Sequence, residues 1–207
     1  SEPLPDLIAG STSPTTATAN SVVRFSTTIS NIGNASTGNG FPNIFQIATA
    51  PNGGGAIENL GGGTLGTLSA GSSANLTGPY YIFYTPGNYS VRACADKNVS
   101  GSSMIDGNIR ESNEGNNCGP WTTITVNPEP VLSGSLSANP TSCTIPAGSS
   151  ACSTALSWST SNPKGTSAIT SNYPSPGTTV FTGNSGNNQS TTAPYSSRSF
   201  YLYNNGQ

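Results

Sequence analysis

A two-residue alternation of apolar and polar side chains, in runs too short for helices, is what most constrains this chain. In SVVRFSTTIS, Val23, Phe25, Thr27 and Ile29 share one face, with Arg24, Ser26 and Thr28 on the other. FQIAT repeats this with Phe45 and Ile47. NYSVRACAD sets Tyr89, Val91 and Ala93 inward and Ser90, Arg92 and Cys94 outward, and WTTITV groups Thr122, Ile124 and Val126. Further on, Cys152, Thr154, Leu156 and Trp158 alternate with Ser153, Ala155, Ser157 and Ser159, while Phe200 and Leu202 oppose Tyr201 and Tyr203. Gly, Asn and Pro break these runs, and PNGGG and LGGGTLG read as turns. Period two over short segments specifies antiparallel strands buried on one face. The expected fold class is all-β.

Composition narrows the function. Only 7% of the 207 residues are charged, against ~25% in ordinary soluble domains. Solubility falls instead to 33 Ser, 26 Thr and 23 Asn. Helices are disfavoured by the shortage of Glu, Lys, Met and Leu and by the abundance of Gly, Pro and β-branched residues. The chain has no His, so it holds no Ser-His-Asp or Cys-His relay and no His-ligated metal. Six Lys and Arg do not neutralise a nucleic-acid backbone. A net charge of −2 and regular alternation argue against disorder. No stretch approaches the ~20 apolar residues that span a bilayer. The opening SEPLPDL fits a mature product after signal cleavage, and four Cys fit an oxidising compartment. The expectation is an extracellular protein, secreted or on the cell surface. It is expected to be no enzyme, to need no cofactor or metal, and to bind no nucleic acid.

Charge divides the chain. Residues 1–129 carry all eight acids and four bases, and residues 130–207 carry only Lys164 and Arg198. The seam is NPEP, Asn127 to Pro130, where two prolines stiffen the backbone and remove donors. Both segments open alike, with EPLPDLIAGSTSPT and EPVLSGSLSANPT, each reading as an edge strand and a proline turn. Two tandem immunoglobulin-like β-sandwich domains are expected, 1–128 and 129–207.

TPGNYSVRACAD followed by ESNEGNNCGPWTTITV resembles the CARDB domain, a cell-adhesion-related module with an Ig-like fold. PDLIAG and VVRFSTTISNIG match its pattern, so the resemblance covers about residues 5–127. Residues 131–207, with SANPTSCTIPAGSSACSTALSWSTSN and SRSFYLYNNG, are similar to the Ig-like repeats of large bacterial surface proteins. The resemblance implies extracellular architecture and adhesion or assembly rather than catalysis.

Four Cys allow three pairings, of which only Cys94–Cys118 with Cys143–Cys152 keeps each bond inside one domain. Free buried thiols are the alternative, and no C-x₂-C spacing suggests zinc. Asp96, Asp106, Glu111 and Glu114, interleaved with Asn98, Asn108, Asn113, Asn116 and Asn117, offer the oxygen ligands Ca²⁺ requires. They match no EF-hand loop, and a turn whose Asx side chains bond their own backbone is favoured. A glycosidase reading of the same carboxylates lacks an aromatic-lined cleft. Sequons at Asn34, Asn75, Asn88, Asn98 and Asn188, with Ser/Thr tracts such as STSPTT, are candidate attachment sites for covalent glycans. The aromatic runs Tyr80, Tyr81, Phe83, Tyr84 and Phe200, Tyr201, Tyr203 read as core and interface, or as platforms that stack on sugars.

An Ig-like sandwich of the resembled type continues after YLYNNG with one more strand beside SFYLY. Here Asn204-Asn205-Gly206 signals a turn and the sequence ends at Gln207. The expectation is therefore a second domain lacking its C-terminal strand, with an exposed edge at Phe200, Tyr201, Leu202 and Tyr203. A truncated sequence, or a sandwich that does without the strand, is the alternative. The donor expected to fill the gap is the N-terminal arm of another copy, through Leu4, Leu7 and Ile8. Donating at one end and accepting at the other gives an open head-to-tail homopolymer. The functional expectation is a glycosylated subunit of an extracellular fibre joined by donor-strand complementation. The alternative is a monomeric adhesion or carbohydrate-binding module of a larger surface protein.

Overall fold

The computed structural model describes residues 2–99, 107–172, 177–195 and 197–204. Asp106 and the Asn205-Gly206 turn lie outside them. The chain divides into two compact units, Ser1–Glu129 and Pro130–Gln207.

In the first unit the alternating runs become β1 (Leu7–Ala9), β2 (Thr16–Thr18), β3 (Val22–Asn31), β4 (Phe41–Ala48), β5 (Ile57–Leu65), β6 (Ser73–Ile82), β7 (Gly87–Cys94) and β8 (Thr122–Asn127). They form two sheets, β1-β3-β6 and β2-β8-β7-β4-β5. All pairings are antiparallel except β2 with β8. The core lies between the sheets, where Phe25 meets both Phe45 and Phe83 at 6.3 Å between ring centroids. Val23, Phe25, Thr27 and Ile29 are buried, as their spacing predicts.

Two outward faces depart from simple alternation. β4 is buried on nearly every position, including Ile44 and Gln46. It runs between β5 and β7, and Gln46 bonds Asn59 and Arg92 across its outer face. Ser90 and Cys94, expected outward, are also buried. Ser90 Oγ donates to Ala50 O and accepts from Gly53 N in the turn Pro51–Gly53, both at 2.8 Å, which covers that end of β7. Cys94 is covered by its disulfide partner.

LGGGTLG, expected as a turn, lies almost wholly inside β5. Its glycines fit a bulge opposite Asn43 and Ile44. A Cβ on Gly62 would stand 2.7 Å from the Asn43 carbonyl oxygen, and Gly63 has φ +85°, a conformation that costs only glycine little.

The second unit contains β9 (Ser133–Asn139), β10 (Ala151–Ser161), β11 (Ala168–Ser171), β12 (Thr178–Thr182), β13 (Ser185–Pro194) and β14 (Phe200–Tyr203). Its three-stranded sheets are β13-β10-β9 and β12-β11-β14, antiparallel throughout. The buried core is small: Leu156, Trp158 and Ile169. Trp158 stacks on Phe181 at 5.6 Å and donates from Nε1 to Gly183 O at 2.8 Å. Leu136, Ala138, Phe200 and Leu202 are only half-buried against it.

Candidate functional site

Those four half-buried side chains define the first candidate site. Leu136 and Ala138 alternate inward along β9, and Phe200 and Leu202 along β14. β9 pairs only with β10, and β14 only with β11. The two sheets therefore each present an edge without a partner strand among the described residues. Between these edges a cavity of about 320 Å³ opens, lined by Leu132, Gly134, Leu136, Thr160, Leu202 and Asn204. Ala138 and Phe200 face a second cavity of about 560 Å³, toward Arg198 and the Cys143–Cys152 bridge.

Both ends of β14 are pinned. Asn204, read in the sequence as part of a turn, is buried, accepts from Lys164 N at 2.7 Å, and donates to Gly165 O and Ser167 Oγ. Arg198 lies 5.0 Å from the Phe200 ring and bonds Thr192 O and Ser171 Oγ. The groove walls are thus fixed by side-chain bonds as well as by β11. Tyr201 and Tyr203 point away from the core and are exposed.

The N-terminal segment is not the free arm the sequence suggests. Leu7 is fully buried in the core of the first unit. Leu7, Ile8 and Ala9 pair with Asn31, Ser30 and Ile29 as an edge strand. Leu4 N–H donates to Asn34 Oδ1 at 3.0 Å and Ser112 N–H donates to Pro5 O at 2.8 Å. The physical reason is the period-two burial of Pro5, Leu7 and Ala9, which completes this core. Gly33 permits the approach: a Cβ there would lie 2.5 Å from both Leu4 O and Pro5 C, backbone atoms with no slack. Gly33→Ala is expected to cost about 1–3 kcal/mol by overpacking, measured as a lowered denaturant midpoint of the first unit.

The acidic loop holds that segment from the other side. Glu111, buried, accepts a short bond from Leu7 N–H through Oε2 and another from Asn117 Nδ2 through Oε1 at 2.6 Å. Asp96 accepts from the N–H groups of Asn108 and Ile109 at 2.8 Å each, and Glu114 accepts from Glu111 N–H. Burial pushes Glu111 up to about 7 and raises Asp96, against the lowering effect of the bonds they accept. These carboxylates are engaged by backbone amides, and among the described residues no group of three or more His, Cys, Asp or Glu is placed to hold a metal.

A family model for CARDB matches residues 4–119, more than half of the chain and all of it inside the first unit. The chain belongs to the CARDB family. CARDB is a cell-adhesion-related, Ig-like domain of surface proteins, which fits a surface protein here. The crystal structure of a CARDB domain from Pyrococcus furiosus, in complex with di-metal ions, is 19% identical. It covers 62% of this chain and 99% of that one, with a TM-score of 0.44. The solution NMR structure of that domain is 19% identical over 60% of this chain and 97% of that one, with a TM-score of 0.42. A beta-glucosidase from Listeria innocua, in complex with gluconolactone, is 16% identical over 61% of this chain and 16% of its own, with a TM-score of 0.35. No curated protein matches.

The CARDB domain closes one disulfide, Cys94–Cys118, and the second unit the other, Cys143–Cys152. Both fit an oxidising, extracellular location. No helix among the described residues is long and apolar enough to cross a membrane. Asn34, Asn75, Asn88, Asn98 and Asn188 are all exposed.

Proposed function

We propose that this chain is a structural subunit of an extracellular filament, non-enzymatic and glycosylated, in which copies join head to tail by strand complementation. The observation that supports this reading is the groove between β9 and β14. Among the described residues, two backbone edges without a partner strand flank four half-buried apolar side chains there. The strand orders β13-β10-β9 and β12-β11-β14 leave β9 and β14 at sheet edges among the described residues, and a sheet edge accepts an added strand. An inserted strand would satisfy both needs, main-chain bonds to β14 and apolar side chains over the small core.

The donor in this reading is residues 4–9 of the next copy, whose inward set Pro5, Leu7 and Ala9 repeats every second residue as the groove requires. The segment is anchored in its own domain by β3 and Glu111, so donation requires release of Leu7 from that core, a cost the new strand pairing has to exceed. The exposed sequons supply sites for glycans, whose hydroxyls would solvate a surface with few ions. The absence of His from the whole sequence supports a structural rather than catalytic role.

Electron microscopy of the purified chain tests this. Long filaments are expected for the natural sequence, and none for Leu136→Glu or Leu202→Glu, which place a charge in the groove. Cysteines introduced at Ile8 and Tyr201 should link copies into a ladder under oxidation. Filaments that survive both charges, or an oxidised product that stays monomeric, would overturn the reading.

A further inference from the structure

The geometry points to a second binding site, a cleft on the CARDB domain that takes a neutral saccharide chain. It encloses about 640 Å³ and is lined by Glu58, Tyr80, Tyr81, Phe83, Tyr84 and Tyr89, a volume in the range of small-ligand sites. Strand β6 and the residues after it bring four of these aromatics together, β5 supplies Glu58, and β7 supplies Tyr89.

The floor is rigid. Phe83 is buried, with Tyr81 edge-on to it at 4.9 Å and Tyr89 at 4.7 Å. Tyr89 OH donates to Thr85 O at 2.9 Å, and Tyr81 OH donates to Glu58 Oε2 at 3.0 Å. On the rim, Tyr80 and Tyr84 are 71% and 74% exposed. Tyr80 is held even so: the Arg24 guanidinium lies 5.0 Å from its ring centroid and is itself tied to Gly78 O at 2.8 Å. A large aromatic kept exposed and oriented is a stacking platform whose ordering cost is already met.

The chemistry selects a sugar. Phosphate-bearing ligands meet the Glu58 carboxylate, the one acid among the described residues lining the cleft, and are repelled. A protein surface docked here would strip water from that carboxylate, whose Oε2 accepts from the Tyr81 hydroxyl, and burying a charge without a countercharge is costly. A pyranose ring offers C–H faces to Tyr80 and Tyr84 and hydroxyls that donate to Glu58, replacing the water it loses. The carboxylate, the ring faces and the phenol groups are complementary to a neutral polyol.

Titration of the full-length chain with cellotriose, maltotriose and mannotriose, followed by amide NMR, tests the site. At least one trisaccharide should shift, saturably, signals of Glu58, Tyr80, Tyr81, Tyr84 and Tyr89. The double variant Tyr80→Ala, Tyr84→Ala should weaken that binding about ten-fold or more, a loss appropriate to two stacking faces, with an unchanged melting temperature because both rings are exposed. Glu58→Gln should weaken it too. Repeating the titration with glycans released from this chain and with cell-surface polysaccharide distinguishes a neighbour's glycan from an external one. Silence with all three trisaccharides, or affinity unchanged in the double variant, would sink the proposal.

Discussion

Replacing Cys94 and Cys118 by alanine is expected to lower the stability of the CARDB domain by about 3 kcal/mol. The bond closes a loop with a sequence separation of 24, and the entropy it removes from the unfolded chain grows slowly with loop length. Its position adds to this. Cys94 ends β7 in the core, and Cys118 lies just before β8. The enclosed loop carries Asp96, Glu111 and Asn117, and through Glu111 it holds the backbone of Leu7. Freeing the loop therefore loosens β1 as well as the β7 end. Removing Cys143–Cys152, with a separation of only nine, should cost the second unit slightly less by the same argument. Chemical denaturation of the two double-alanine chains, each against the natural chain, measures both. A loss below about 1 kcal/mol for the first would mean that the loop is held by its hydrogen bonds alone.

What the sequence made legible follows from which forces are local. Alternation at Val23, Phe25, Thr27 and Ile29, and at Cys152, Thr154, Leu156 and Trp158, reports strand faces directly, because the period of two is a property of the backbone. The same rule misplaces Ser90 and Cys94, since it identifies a face and not what covers it. The turn that supplies the cover adjoins Ala50 and lies 37 residues from Ser90 in sequence, and only the tertiary fold brings it there. LGGGTLG was misread because glycine signals both turns and bulges, and its β4 partner alone decides between them. The apolar pair Phe200 and Leu202 was visible, and SGSLSA reads as an edge strand, as β9 is, but nothing local shows that Leu136 and Ala138 face that pair. The clasp of Leu7 by Glu111 joins residues more than a hundred positions apart. No local pattern encodes it, and this is why an anchored edge strand read as a free arm.

That clasp has a pH signature. Burial raises the Glu111 carboxyl from its ordinary 4.5 to about 7, so the folded chain binds this proton more tightly than the unfolded chain does. Below about pH 4.5 both forms are protonated and the contribution is fully present. As pH rises toward 7 the unfolded carboxyl ionises first, and stability falls by on the order of 3 kcal/mol in total. Asp96, raised by burial too, adds a slope of the same sign. Glu111→Gln should remove most of this slope. The glutamine carbonyl can accept from Leu7 N–H, and its amide can donate to Asn117 Oδ1, which is buried with no hydrogen-bond partner, once the Asn117 amide turns over. The variant is therefore expected to be more stable than the natural chain at pH 8 and close to it at pH 4. Urea unfolding across that range decides the matter. Stability of the natural chain that rises with pH between 5 and 7, or a Gln variant weaker at pH 8, would show that Glu111 is held as a charged acceptor. Its bonds to Leu7 and Asn117 would then outweigh its desolvation.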